Sequence, residues 1–193
     1  MSIEHAEQAL IALDPHPFYV PLGRWAPVVE GAFQGMSTRH WIFAGPRARI
    51  GASLRGANPE RLLHPENGAK PYKLAPSSQH PARRALQAVG SALTTQQPTL
   101  CILGDAALAH GHVMQALELC VQHKCPVVFL IIRFPLTADA PISKQSSINL
   151  AHLAQSYQLG HVSVAPKKES IQKAIQEACA QNSPILIETL LEK

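Results

Sequence analysis

The stretch 101–132 constrains the fold of this chain more than any other part. The apolar segment 101–104 leads to Asp105, and a helical pattern over 113–122 is followed by a second apolar segment over 127–132. A strand, a helix and a strand in this order form a right-handed crossover between parallel strands. A carboxylate at the end of the first strand lies where α/β proteins hold metal-diphosphate groups. The stretch therefore predicts a parallel sheet with Asp105 at its carboxyl edge.

The same alternation continues along the rest of the chain. Helices are predicted over 79–95, 112–123, 147–157 and 169–181, and strands over 100–103, 126–132, 161–164 and 184–191. The strands VVFLII and ILIETLL are mainly apolar, which is typical of parallel strands buried on both faces. We therefore predict an α/β fold with a mainly parallel sheet and helices on both faces.

The first third of the chain has a less regular pattern. Helices are predicted over 2–13, 24–35 and 46–54, with a short strand over 40–43. Residues 57–78 are rich in Pro, Asn, Gly and Lys and are predicted to form a mobile loop. A chain of 193 residues that is 46% hydrophobic suits one core, so we predict a single domain over 1–193.

Composition excludes several classes of function. The net charge of +4 is spread along the chain rather than gathered in a patch with aromatics, which argues against nucleic-acid binding. No stretch approaches the roughly 20 apolar residues of a membrane span. The N-terminal segment MSIEHAEQALIAL carries acids rather than the basic start of a signal peptide. The four cysteines form no CxxC motif, and we expect a cytoplasmic protein with reduced thiols.

The segment GDAALAHGHVMQALELCVQHKCPVVFLI is similar to the diphosphate-binding motif of thiamine-diphosphate enzymes. It most resembles the alpha subunit of the decarboxylating component of 2-oxo-acid dehydrogenases (pyruvate, acetoin and branched-chain types). Further segments resemble the same family in the same order: GRWAPVVEGAF, PRARIGASLRG, LQAVGSAL, LAHLAQSYQLGHVSV and SPILIETL. The resemblance spans nearly the whole chain and implies the thiamine-diphosphate-binding (diphosphate-module) fold.

The resemblance also implies a cofactor site, and this chain departs from it. In the family an Asp and an Asn of an Asn-Asn pair bind magnesium, which bridges the cofactor's diphosphate. Asp105 matches the first ligand and Arg47 matches an arginine that contacts the diphosphate, but the Asn pair reads Arg133-Phe134. Neither side chain can ligate magnesium, which requires oxygen donors. Ala106 replaces the glycine that follows the family's Asp.

Other positions of the family's site are changed as well. Pro46 stands for a tyrosine, Arg49 stands for a histidine, and the segment GAKPYKLA lacks the histidine of a cofactor loop. We therefore expect no catalytic residue, no metal site beyond the one retained ligand, and a vestigial cofactor site formed by Arg47, Gly104, Asp105, Ala106, Ala107, Arg133 and Phe134.

A buried carboxylate without its metal requires another counter-charge. We expect Arg133 or Arg47 to pair with Asp105. Because Arg133 and Phe134 point to opposite faces of a strand, only one of them can enter the old metal position. If Phe134 enters it, Arg47 or Arg49 becomes the better partner.

Structural interpretations compete with these functional ones. Asp105 also suits a helix cap. The spacing of Arg47, Arg49 and Arg55 favours the solvated face of a helix over phosphate binding. The histidines of the motif HGH at 110–112 suit solvent-facing side chains better than metal ligands.

Three functions remain open from the sequence. The first is a non-catalytic member of the family, a pseudoenzyme or an interaction subunit, for which no cofactor is expected. The second is an active alpha-type subunit that needs a beta-type partner, thiamine diphosphate and magnesium. The third is a binder of another phosphorylated ligand through Arg47 and the start of the helix at residue 112. In each case we expect a homodimer or a hetero-oligomer with another thiamine-diphosphate-fold chain, because the helix is apolar on more than one face at Val113, Met114, Ala116 and Leu117.

Overall fold

Five parallel strands form a sheet at the centre of the structure, in the order β1-β2-β3-β5-β4. The strands are β1 (Ile42–Phe43), β2 (Thr99–Gly104), β3 (Val127–Arg133), β4 (Gly160–Val164) and β5 (Ile185–Leu190). The computed structural model describes residues 2–12, 21–62, 69–76, 80–135 and 147–191. In β3 the first six residues are buried, as expected of a central strand with helices on both faces.

Seven α-helices lie among the described residues. They are α1 (Ile3–Ala12), α2 (Ala26–Gly35), α3 (Pro59–Leu62), α4 (Pro81–Thr95), α5 (Gly111–Gln122), α6 (Leu150–Ser156) and α7 (Lys168–Gln181). Helices α4, α5 and α6 pack on one face of the sheet, whereas α1, α2 and α7 pack on the other. The predicted α/β fold with a parallel sheet is confirmed, and the observed ends of the elements differ from the predicted ends by a few residues.

The direction of each crossover explains which face each helix covers. From β1 through β4 the chain moves steadily across the sheet, so right-handed crossovers place α4, α5 and α6 on the same face. From β4 the chain then turns back to place β5 beside β3. A right-handed crossover in the reverse direction requires its helix, α7, on the opposite face.

Two glycines of α2 allow it to lie directly against α7. A Cβ atom at Gly31 would overlap the carbonyl oxygen of Lys168. A Cβ at Gly35 would lie 2.8 Å from the Gln172 carbonyl oxygen and 2.9 Å from the Cβ of Ile175. The two backbones therefore approach more closely than any larger residue would permit.

The segment 48–55 differs from its prediction. The residues Ala48–Arg55 form a 3-10 helix, and the expected solvated arginine face is wrong. Arg49 is 1% exposed and donates a hydrogen bond from Nη1 to the Ala75 carbonyl oxygen at 3.0 Å. Arg55 donates to four backbone carbonyl oxygens, at 3.0–3.2 Å, of Met36, Ser37, His40 and Tyr72. These loop carbonyls have no strand partner, and the two guanidiniums supply the donors that they need.

The described parts of the predicted loop 57–78 pack against the core. Leu74 is fully buried and forms a bridge with Ile42 of β1. Ala57 and Leu62 are also buried. Residues 63–68, 77 and 78 lie outside the described part of the chain. The mobility of the loop stays a prediction.

Two further sequence predictions concern the cysteines and the membrane. Cys101, Cys120 and Cys125 are buried free thiols and Cys179 is a half-buried free thiol. None of the helices in the described residues has the length and apolar character needed to cross a membrane.

Candidate functional site

The carboxyl ends of β2 and β3 bring the predicted site residues together. Asp105 follows the last residue of β2 and begins a 3-10 helix, Asp105–Ala109, whose Ala106 is half-buried and whose Ala107 is 1% exposed. Gly104 pairs with Ile132 in the adjacent strand. Arg133, the next residue of β3, therefore reaches the edge of the sheet beside Asp105.

Arg133 and Asp105 form an ion pair. The Nε of Arg133 lies 3.3 Å from Oδ1 of Asp105, and the side chains are 15% and 2% exposed. The pair lies where water can screen it little, so the attraction between the charges is stronger than on the surface. Of the alternatives left open by the sequence, the structure places Arg133 beside Asp105.

The ion pair extends into a row of four titratable side chains. Arg133 donates from Nη1 to Oε1 of Glu188 at 2.7 Å, and Oε2 of Glu188 lies 3.2 Å from Nε2 of His161. Glu188 belongs to β5 and His161 to β4, so the row crosses four neighbouring strands, with Asp105 directly after the end of β2. The row places a cation between two carboxylates at the carboxyl edge of the sheet.

The sequence analysis did not identify Glu188 and His161. They lie 55 and 28 residues from Arg133 along the chain, and only the strand order brings them beside it. One signal was available in the sequence. Glu188 interrupts the apolar strand Ile185–Leu190, and a carboxylate in a central strand needs a charged partner.

Phe134 points to the opposite face from Arg133. Its ring lies 6.4 Å from the ring of Trp25, and its side chain is 39% exposed. Arg47 lies over the ring of Trp25, with its guanidinium carbon 5.1 Å from the ring centre. Phe134, Trp25 and Arg47 therefore form a cation-aromatic group separate from the ion pairs.

A cleft of about 280 Å³ lies beside this group, at the carboxyl ends of β1 and β2. We call it the arginine cleft, and its walls are Trp25, Gly45, Pro46, Arg47, Ala48, Arg84, Ile102 and Gly104. Ligands of open α/β sheets bind at this edge of the sheet. The sequence analysis had identified Arg47 and Gly104 but not Trp25 or Arg84.

Arg84 is the most buried charged side chain of the cleft. It is 5% exposed and donates from Nη1 to the Ile102 carbonyl oxygen at 2.8 Å. Burial lowers the pKa of Arg84 and that of Arg47. A signal for Arg84 existed in the sequence, since it lies four residues before Ala88 and therefore on the apolar face of α4.

Three histidines form a second cluster at the start of α4 and α5. The ring of His80 lies 4.6 Å from that of His110 and 6.1 Å from that of His112. Partial desolvation and the nearby His110, Arg83 and His112 lower the pKa of His80. Across the described ranges, no group of three or more His, Cys, Asp or Glu side chains has an arrangement that could hold a metal ion.

No family model and no curated protein matches the chain. Among the solved structures similar to it is one from Mycobacterium smegmatis, described as a thiamin diphosphate-dependent enzyme, with 16% sequence identity and a TM-score of 0.60. The match covers 86% of this chain and 31% of that chain. This chain has the thiamine-diphosphate-binding fold.

The likeness extends to the thiamine-diphosphate-binding fold and no further. At 16% identity it does not distinguish an alpha subunit of a 2-oxo-acid dehydrogenase from other proteins of this fold. The chain spans less than a third of the length of that structure. Subfamily and catalytic status therefore depend on the site residues.

Proposed function

We propose that this chain is a non-catalytic relative of the alpha subunit of 2-oxo-acid dehydrogenases, in which an internal guanidinium replaces magnesium. It keeps the thiamine-diphosphate-binding fold and acts as an interaction or regulatory subunit. The observation that carries the proposal is the distance of 3.3 Å between Nε of Arg133 and Oδ1 of Asp105.

The chemistry of the donor set supports this proposal. Magnesium requires oxygen ligands in octahedral geometry. Here the one retained carboxylate faces a guanidinium, and Phe134 contributes no donor atom. Two unit positive charges 4 Å apart repel by about 4 kcal/mol at an effective dielectric constant of about 20, and magnesium carries a double charge. The residues present do not fit the metal.

The second carboxylate strengthens the argument. Glu188 contacts Arg133 at 2.7 Å from the side opposite Asp105 and also contacts His161. To admit magnesium, Arg133 would have to leave two carboxylates at once. Removing one partner from a buried ion pair is strongly destabilising, so this movement is costly.

The proposed partner is a second copy of this chain or another chain of the same fold. Val113, Ala116 and Leu117 of α5 are buried within this chain and are not available to a partner. Met114 is half-buried, and Leu93 of the neighbouring α4 is 44% exposed. The apolar surface that remains on α4 and α5 supports self-association over a narrower area than the sequence predicted.

Calorimetric titration with thiamine diphosphate and magnesium tests the proposal. We expect no magnesium-dependent heat of binding from the natural chain. Inorganic diphosphate with magnesium is the second probe, because it requires the metal-diphosphate half of the site and no partner chain. Micromolar, magnesium-dependent binding of either probe would contradict the proposal and support the active alpha-type subunit.

The double variant Arg133→Asn/Phe134→Asn is the matched control. It restores the two amide side chains that the resemblance places at these positions and leaves Asp105 in place. We expect magnesium-dependent binding of inorganic diphosphate to be stronger in this variant than in the natural chain. Equal binding by the two proteins would show that Arg133 is not what excludes the metal.

A further inference from the structure

The arginine cleft contains buried donors that the protein itself does not satisfy. The Nε atoms of Arg47 and Arg84 and the Nε1 of Trp25 are buried and have no hydrogen-bond partner within the described ranges. The three side chains belong to three separate parts of the chain and line a single cleft. Buried N–H groups are almost always paired in folded proteins, so a group of three points to an acceptor from outside the chain.

The charge of the cleft is also uncompensated. In the described part of the chain, no carboxylate forms an ion pair with Arg47 or Arg84. Arg84 is 5% exposed, and burying a charge without a counter-charge is costly. This contrasts with Arg133, which has a carboxylate on either side. An anion in the cleft would offset the charges of both arginines.

Gly45 gives the Arg84 guanidinium its place in the wall of the cleft. A Cβ atom at this position would lie 2.8 and 2.9 Å from the two terminal nitrogens of Arg84. Any side chain at residue 45 would therefore push the guanidinium from its position. Because Gly45 has no side chain, the charged guanidinium of Arg84 can lie against the cavity.

We propose that the arginine cleft binds the oxyanion group of a small organic anion directly, without a divalent cation. Arg47 and Arg84 supply the charge and the N–H donors, because a guanidinium matches the geometry of a phosphoryl or carboxylate group. Trp25 and Pro46 contribute apolar surface to the wall of the cleft, against which the organic part would pack. The volume of about 280 Å³ limits the ligand to a small molecule.

This inference goes beyond the proposed function and does not depend on it. The proposed function concerns the metal position at Asp105, which Arg133 fills. The cleft shares Arg47 and Gly104 with the expected vestigial cofactor site, but it does not include Asp105 or Arg133 and needs no metal. Binding measured in the presence of a chelator therefore tests the cleft, whatever the outcome of the titration with magnesium and thiamine diphosphate.

Fluorescence of Trp25 provides the test. The chain has two tryptophans, so the variant Trp41→Phe leaves Trp25 as the sole emitter, in the wall of the cleft. The protein is titrated in EDTA with phenyl phosphate, benzoate and the neutral benzyl alcohol. We expect a saturable change in Trp25 emission with phenyl phosphate or benzoate, and the stronger of the two identifies the oxyanion. No saturable change with either anion, or an equal response to benzyl alcohol, would overturn the proposal.

Three variants in the Trp41→Phe background locate the site. Arg84→Gln and Arg47→Gln should each weaken binding by about tenfold or more, since hydrogen bonds to charged groups are the stronger kind. Gly45→Ala keeps both arginines and should also weaken binding, so the test does not rely on Arg84→Gln folding well. Arg83→Gln, an exposed neighbour on α4, is the matched control and should bind as the parent does. Unchanged affinity in Arg47→Gln and Gly45→Ala would refute the site.

Discussion

Asp105 is 3% exposed, so its charge depends on neighbouring protein groups rather than on water. Arg133 provides a positive charge 3.3 Å from Oδ1 of Asp105, and Glu188 contacts Arg133 from the other side. Such a carboxylate differs from a metal ligand in an empty site. A ligand carboxylate without its metal is an uncompensated buried charge, whereas the charge of a carboxylate in an ion pair is compensated, and removal of either partner is destabilising.

Replacement of Asp105 separates these two cases. We expect Asp105→Asn to lower the free energy of unfolding by about 1–3 kcal/mol, because it removes one charge of a largely buried pair. Urea unfolding followed by circular dichroism measures the change. Glu118→Gln, on the exposed face of α5, is the control and should stay within about 0.5 kcal/mol of the natural chain. A more stable Asp105→Asn protein would show that Asp105 is an uncompensated vestige.

For single residues, the sequence predicts the site residues that lie within a motif, but it does not predict those that come from strands distant in sequence. Asp105 was found because it follows a recognisable strand, and Arg133 because the resemblance places an Asn of the family's metal site at its position. The sequence could not decide between Arg133, Arg47 and Arg49, because the direction of a strand's last side chain depends on its register. Glu188 was missed because strand order determines its neighbours.

Among the elements, the packing of α2 on α7 depends most on backbone contact. Gly35 lies within van der Waals distance of the Gln172 backbone, where no side chain fits. An ion pair between Lys168 and Glu30, 2.6 Å apart, joins the same two helices near the start of α7. Both glycines are therefore required for this close approach of α2 to α7.

A glycine-to-alanine pair tests this packing. Alanine is normally the better helix former by about 1 kcal/mol, so Gly90→Ala in α4, where a Cβ meets nothing, should stabilise the protein slightly. Gly35→Ala should instead destabilise it by about 1–3 kcal/mol, since the new methyl group overlaps α7. Thermal unfolding measures both. Stabilisation by both substitutions would contradict the close packing of α2 and α7.

The elements themselves could largely be predicted, because hydrophobic periodicity depends on local sequence. Helices α4, α5 and α7 and the strands β2, β3 and β5 all lie close to their predicted bounds. The arginines of 48–55 could not be placed in this way. Their spacing resembles a solvated face, but the carbonyl groups that they satisfy belong to loops distant in sequence.

At the scale of the whole molecule, stability should depend on pH through two histidines. Burial lowers the pKa of His40 from 6.5, and the nearby Arg39 and Arg55 contribute to the lowering, while a hydrogen bond with Gln97 opposes it. Partial desolvation and the neighbouring cations lower the pKa of His80 from the same value. The unfolded chain therefore binds protons more readily than the folded protein does.

The direction in which stability changes with pH follows from this difference in proton binding. As the pH falls through 6.5, the unfolded state is protonated first, so stability declines until the folded histidines also titrate. We expect the midpoint of thermal unfolding to be lower at about pH 5.5 than at about pH 7.5. His40→Gln/His80→Gln should reduce this dependence, whereas His123→Gln, at an exposed position after α5, should not. An unchanged slope in the double variant would contradict the assignment.

The sheet as a whole was predictable in its type but not in its order. Alternating strands and helices predict parallel pairing, because each crossover returns the chain to the same end of the sheet. The pattern does not reveal whether a new strand joins the edge or inserts beside an earlier one. The insertion of β5 next to β3 brings Glu188 to Arg133, so the charged row depends on the least predictable feature of the fold.

Arg133 is covalently part of the chain, and this has a consequence for the cell in which the protein works. A magnesium ion can be lost when its supply falls, but a tethered guanidinium stays at the same effective concentration under all conditions. If Arg133 replaces magnesium as proposed, the stability of the domain should be independent of magnesium supply, and folding requires no ion.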